Sequence, residues 1–80
     1  MNHLTAKLAH CFALTFPNLP AERIPTAKAE NVSEWDSIAH ITLLTVIGEQ
    51  FGMDVDFEDF EGALSFEALA AKLEKRGARA

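Results

Sequence analysis

Apolar side chains recur at helical spacing in three stretches of this sequence and nowhere alternate as a strand requires. Leu4, Leu8, Cys11 and Phe12 fall on one face of a helix expected from about residue 3 to 15. Phe16-Pro17-Asn18-Leu19-Pro20 ends it, because each proline removes a backbone donor and disfavours helix ahead of itself. A long connection then reaches about Asp36, with a helical turn expected at Pro20-Ala21-Glu22-Arg23 before Pro25. Leu19, Ile24 and Val32 are irregularly spaced within it and are expected to pin it to the core, since so long a connection is otherwise uncommon in a small domain.

The second helix is expected from Ser37 to about Phe51, behind Asp36 as its cap. At about 100° per residue, His40, Leu43, Leu44, Ile47 and Phe51 share one face and read as core. Ile38, Thr42, Thr45 and Glu49 share the opposite face, Ile41 lies on the flank, and Gly52 closes the helix. Phe57 to Glu61 is expected as a short third helix, broken by Gly62-Ala63. Ser65 caps a last helix from Phe66 to about Arg76, with Leu69 and Leu73 facing inward and Lys72, Lys75 and Arg76 at the negative end of its dipole. The sum is an all-α fold. It is a four-helix bundle of three main helices plus one short helix, with a long loop between helices 1 and 2.

Composition narrows the function classes. The 80 residues make one small domain, 1–80, with 77–80 expected as a disordered tail, and 49% hydrophobic content is too high for disorder elsewhere. A net charge of −5 argues against nucleic acid, whose binders need a basic stripe, and favours partners with basic faces. Cys11 stands alone, so no internal disulfide framework exists and a reducing compartment fits. No apolar run of about 18 residues is present, and residues 1–7 lack the pattern of a signal peptide, so a cytoplasmic protein is the default expectation.

The chemistry concentrates at Glu34-Trp35-Asp36-Ser37-Ile38. A serine at the start of a helix sits among unpaired backbone N–H groups at the positive end of the helix dipole, a favourable place for a phosphate. Taken alone, such a serine is far more often an ordinary first-turn residue. His40 lies on the apolar face and reads as a partly buried structural histidine, and Cys11 as a buried thiol. His3, His10 and His40 lack metal-ligand spacing. The acids Asp54, Asp56, Glu58, Asp59 and Glu61 lack the EF-hand pattern and read as a solvated face. Ser37 and His40, three apart on one helix with no third group to orient the imidazole, do not read as a hydrolytic dyad.

With Asp36-Ser37-Ile38, the Pro-containing loop before it, the helix ending at Phe51-Gly52, the short helix at 57–61 and the opening Leu64-Ser65-Phe66, the chain resembles the acyl carrier proteins over nearly its whole length. The resemblance implies that a phosphopantetheinyl transferase attaches 4′-phosphopantetheine from coenzyme A to Ser37, with Asp36 as part of the recognised motif. It further implies that the arm's thiol carries acyl or aminoacyl groups as thioesters, and that the carrier is not itself an enzyme. The partners implied are that transferase, a ligase or acyltransferase that loads the thiol, and a downstream enzyme that accepts the cargo, with the carrier a monomer. Two departures from the fatty-acid pattern stand out. No glycine precedes Asp36-Ser37, and the helix after Ser37 has Glu49 as its one acid. The Trp35-Asp36-Ser37 spelling is similar to D-alanyl carrier proteins and to carriers of specialised pathways, so a dedicated rather than general pathway is expected. Trp35, Ile38, Ile41, Thr42, Thr45 and Glu49 are candidates for partner docking, Ile38 foremost. Phe57, Phe60, Leu64 and Leu69 are candidates to shelter a bound chain between the second and last helices. Two other readings stand beside this one: a helical interaction module that never carries the group, and a minimal hydrolase using Ser37.

Overall fold

The computed structural model describes residues 3–77. Their order is α1 (His3–Thr15), a 3-10 helix (Ala21–Thr26), α2 (Ser37–Phe51), α3 (Phe57–Phe60) and α4 (Phe66–Lys75), so the described chain is all-α as the hydrophobic pattern predicts. Helices α3 and α4 stop one residue short of expectation, with Glu61 and Arg76 as their C-caps. Of the tail expected at 77–80, residues 78–80 lie outside the described residues.

Helix α1 is the centre of the packing. It lies against α2, the 3-10 helix and α4, while α3 packs on α2. Its buried stripe is the one that periodicity predicts, Leu4, Leu8, Cys11 and Phe12. Facing it are Leu43 and Ile47 of α2 and Leu69 and Leu73 of α4, all fully buried. Phe12 is the hub of the aromatic part of the core, with ring centroids 6.0 Å from Phe16, 5.3 Å from Phe66 and 5.3 Å from Trp35, the last edge-on at 80°. Edge-on contacts set the positive edge of one ring against the negative face of another, which adds to the burial of area.

The connection from 16 to 36 is not structureless. Proline at 25 is accommodated inside a 3-10 helix, Ile24 and Val32 are buried, and Leu19 packs against the core from a partly exposed position. Asn31 ties the loop to itself through its side chain, accepting from the Lys28 N–H and donating to the Thr26 carbonyl. An antiparallel bridge between Lys28 and Ser65 fastens the loop to the start of α4, with Ala29 N–H donating to the Leu64 carbonyl and Phe66 N–H to the Ala27 carbonyl, each at 2.9 Å. One bridge needs no alternating pattern, so the sequence carries no sign of it.

Two glycines shape the end of α2. Gly52 ends α2 in the left-handed region at φ 61°, and its N–H reaches back to the Gly48 carbonyl. A Cβ on Gly48 would stand 3.1 Å from the Met53 carbonyl oxygen, so the absence of a side chain there lets the following loop fold close over α2. On the far side, Asp59 of α3 bonds Arg76 and Lys72 of α4. The Arg76 guanidinium foremost, with Lys72, holds the Asp59 carboxyl below its ordinary range, while Arg76 also lies over the Phe60 ring.

Truncating the hub, Phe12→Ala, is expected to lower stability by about 3–5 kcal/mol, a large share of a small domain's total. Leu14→Ala, at an exposed position of the same helix, should stay within about 0.5 kcal/mol. Urea unfolding followed by circular dichroism separates the two. Because the folded Asp59 carboxyl titrates lower than the unfolded one, its contribution is present at neutral pH and is lost as pH falls through the folded value. Asp59→Asn should therefore shift the urea midpoint slightly down at neutral pH, and the difference from wild type should vanish at about pH 2.

Candidate functional site

Asp36 is in extended conformation and accepts the Ala39 N–H on its side chain at 2.8 Å, which fixes the first turn of α2. Its backbone carbonyl accepts the His40 N–H at 2.9 Å. Ser37 is thereby held as the first residue of a well-anchored helix. It is exposed, and its hydroxyl bonds to none of the described residues. The backbone amides of Ser37 and Ile38 lie ahead of the helical ladder, as orphan donors at the positive end of the dipole.

Behind Trp35-Asp36-Ser37 the chain leaves a half-open cleft of about 280 Å³. One wall is Ala29, Trp35 and Asp36 of the loop, the floor is His40, and the opposite wall is Phe57, Glu61 and Leu64. Its surface is mostly carbon, with the carboxylates of Asp36 and Glu61 at its margin. A second open groove of about 390 Å³ runs along α2 past Ile41, Thr45 and Glu49 to Val55 and shares Phe57 with the first.

The expected docking residues separate into two groups. Ile38 is 76% exposed, Ile41, Thr42, Thr45 and Glu49 are exposed beside it, and together they form one strip of α2. The Thr42 and Thr45 hydroxyls bond back to the Ile38 and Ile41 carbonyls of their own helix, so the strip is less polar than its sequence suggests. Trp35 does not belong to it. It is 5% exposed, wedged against Phe12 and Phe16, and cannot meet a partner as a surface residue. The expectation of docking at Trp35 is corrected by the size of its ring, which the small α1–α2 core needs.

The expected shelter between the second and last helices is corrected as well. Phe60 and Leu69 are fully buried and line neither opening. Phe57 and Leu64 are 41% and 45% exposed and line the cleft beside Ser37 instead. The opening lies between the loop and α3 because α1 fills the middle of the bundle. Ala29 and Glu61 were not foreseen as parts of this cleft. The bridge at Lys28 brings the first there and the cap of α3 the second, and neither leaves a mark in the periodicity.

His40 is buried, as its place on the apolar face predicts, and it is fully engaged. Its Nδ1 accepts the Trp35 Nε1–H at 3.0 Å, and its Nε2 stands 3.0 Å from the Phe60 carbonyl. No nitrogen is left to serve Ser37 as a base. Among the described residues no cluster of histidine, cysteine and acids could hold a metal, and no helix is long and apolar enough to cross a membrane. Comparison with known proteins returns no match to a family model, to a characterised protein or to a solved structure.

Burial pushes the Cys11 thiol up from 9.0 to about 11, against weaker downward pulls from its own backbone and Lys7. That lowers its thiolate fraction at neutral pH about a hundredfold. Labelling with a disulfide reagent at pH 7 should be at least that much slower in the folded protein than in urea.

Proposed function

We propose that this chain is a carrier of the acyl-carrier-protein kind, with Ser37 as the residue that a phosphopantetheinyl transferase modifies from coenzyme A. The observation that carries the reading is an exposed, unbonded serine hydroxyl at the first position of a capped helix, at the rim of an apolar cleft. A phosphodiester fits there. The orphan amides of Ser37 and Ile38 and the helix dipole offset part of the repulsion from Asp36 and Glu61, and in solvent that repulsion is screened. Bound 4′-phosphopantetheine supplies a thiol on a long flexible arm, on which an acyl or aminoacyl group rides as a thioester.

The chain's own residues do the rest. Asp36 keeps the helix start rigid, so that Ser37 is presented in one orientation. Phe57 and Leu64 offer apolar cover near the attachment point for part of the arm or its cargo. Ile38, Ile41, Thr42, Thr45 and Glu49 present a strip with one acid to the loading and unloading enzymes, and this low charge favours dedicated partners over a general fatty-acid system. The arm raises the effective concentration of cargo at each docked enzyme. His40, with both nitrogens committed, gives Ser37 no base, which favours a carrier over a hydrolase. A lone, protonated Cys11 is consistent with a reducing cytoplasm.

Incubation with coenzyme A and a broad-specificity phosphopantetheinyl transferase should add one phosphopantetheine by intact mass spectrometry. Ser37→Ala should remove the addition entirely and leave the helical circular dichroism unchanged. A folded wild-type protein that gains no mass would overturn the reading in favour of an interaction module.

A further inference from the structure

The cargo of a carrier rides either inside the bundle or outside it, and the packing of the core bears on which. Leu43 and Ile47 of α2, Phe60 of α3, and Leu69 and Leu73 of α4 are each 0% exposed, so no space the size of a water molecule lies beside any of them. An alkyl tail entering there has to make its own room. Opening a hole in a close-packed core costs free energy of the same order as burying the methylenes that fill it yields. A tail is therefore stabilised by entry only where space already exists.

The surrounding elements offer no easy parting line. Helix α1 packs on both α2 and α4, with Leu8 and Phe12 fully buried, so separating those two helices means unpacking α1. Helix α3 is the shortest element and packs mainly on α2, yet it is tied on two sides. The Phe60 carbonyl stands 3.0 Å from His40 Nε2 on α2, and Asp59 bonds Lys72 of α4 and its cap Arg76. The cleft beside Ser37 stops short of this core as well. Trp35 and His40, both buried, close it inward, and the indole Nε1–H donates to His40 Nδ1 at 3.0 Å. A tail pressing inward from Ser37 has to break that bond and leave buried polar atoms unpaired.

We propose that the described residues of this carrier hold no interior site for an alkyl tail, so that its cargo rides outside the bundle, against Phe57 and Leu64 at most, and is a short or polar acyl group instead of a long hydrocarbon. The inference rests on the carrier reading and narrows it to a cargo class. The physical reason is hydration. A long tail left in water on the surface drives the carrier toward other apolar surfaces, whereas an acetyl or hydroxyacyl group exposes little carbon.

The test uses the 80-residue chain loaded with acetyl-, butanoyl- and octanoyl-phosphopantetheine from the corresponding coenzyme A thioesters by a broad-specificity transferase, each product checked by intact mass. On an alkyl column under native conditions, retention should climb with chain length on the same slope as the free acyl-pantetheines, up to about fourfold per methylene. Carbon-13 methyl spectra should show the Leu43, Ile47, Leu69 and Leu73 signals unchanged between the acetyl and octanoyl forms, with shifts confined to Leu64 and the cleft. The thermal midpoint should be the same for all three. Flat retention across the series, a midpoint that rises with chain length, or octanoyl-dependent shifts at those four residues would overturn the inference and leave the carrier reading standing. A folded protein that gains no mass would overturn the carrier reading and this inference with it.

Discussion

Burying Trp35 is the constraint around which the molecule is organised. An indole brings a large apolar surface and one N–H that must be bonded wherever it goes. Here the ring fills the space between Phe12, Phe16 and the start of α2, and the only acceptor that meets its N–H is an imidazole nitrogen. That choice settles the tautomer of His40, and the tautomer in turn requires an acceptor on the other side. The Phe60 carbonyl supplies it, and α3 is drawn against α2. No buried side-chain nitrogen or oxygen among the described residues is left unbonded, so these two bonds leave the core no unsatisfied polar group.

The same packing makes an exposed site out of buried parts. Ser37 is accessible because its neighbours on both sides are fixed: Asp36 by the Ala39 N–H, Trp35 by the aromatic core, and His40 by its two bonds. A hydroxyl whose neighbours are fixed loses less conformational freedom on any binding event than one in a loosely held segment. The exposed Ile38 beside it has the opposite character. It has no neighbour to pack on, and a large apolar side chain held in water on the rim of a cleft suits association better than folding.

Much of this was legible in the sequence. The stripe Leu4, Leu8, Cys11 and Phe12, the face His40, Leu43, Leu44 and Ile47, the caps Asp36 and Ser65, and the closing Gly52 are local facts, set by the 3.6-residue period and by the needs of helix ends. The prominence of Ser37 and Ile38 followed from the same local rules. Trp35 and Phe60, expected at a docking surface and a pocket wall, are buried instead for one shared reason. An aromatic or leucine outside a periodic stretch gives no sign of the direction it faces, and that direction depends on which elements meet.

The sequence by itself determined where the helices begin and end, which faces they bury, and that an exposed serine opens the second of them, because each of these depends on residues within a turn or two of one another. Only the tertiary structure decided that Trp35 is core, that the cleft lies between the loop and α3 instead of between α2 and α4, and that both ring nitrogens of His40 are bonded. Those outcomes depend on bonds and contacts between residues distant in the chain, such as Lys28 with Ser65 and His40 with Phe60. Such pairings arise from packing and from the demand that buried polar atoms find partners, and no periodicity records them.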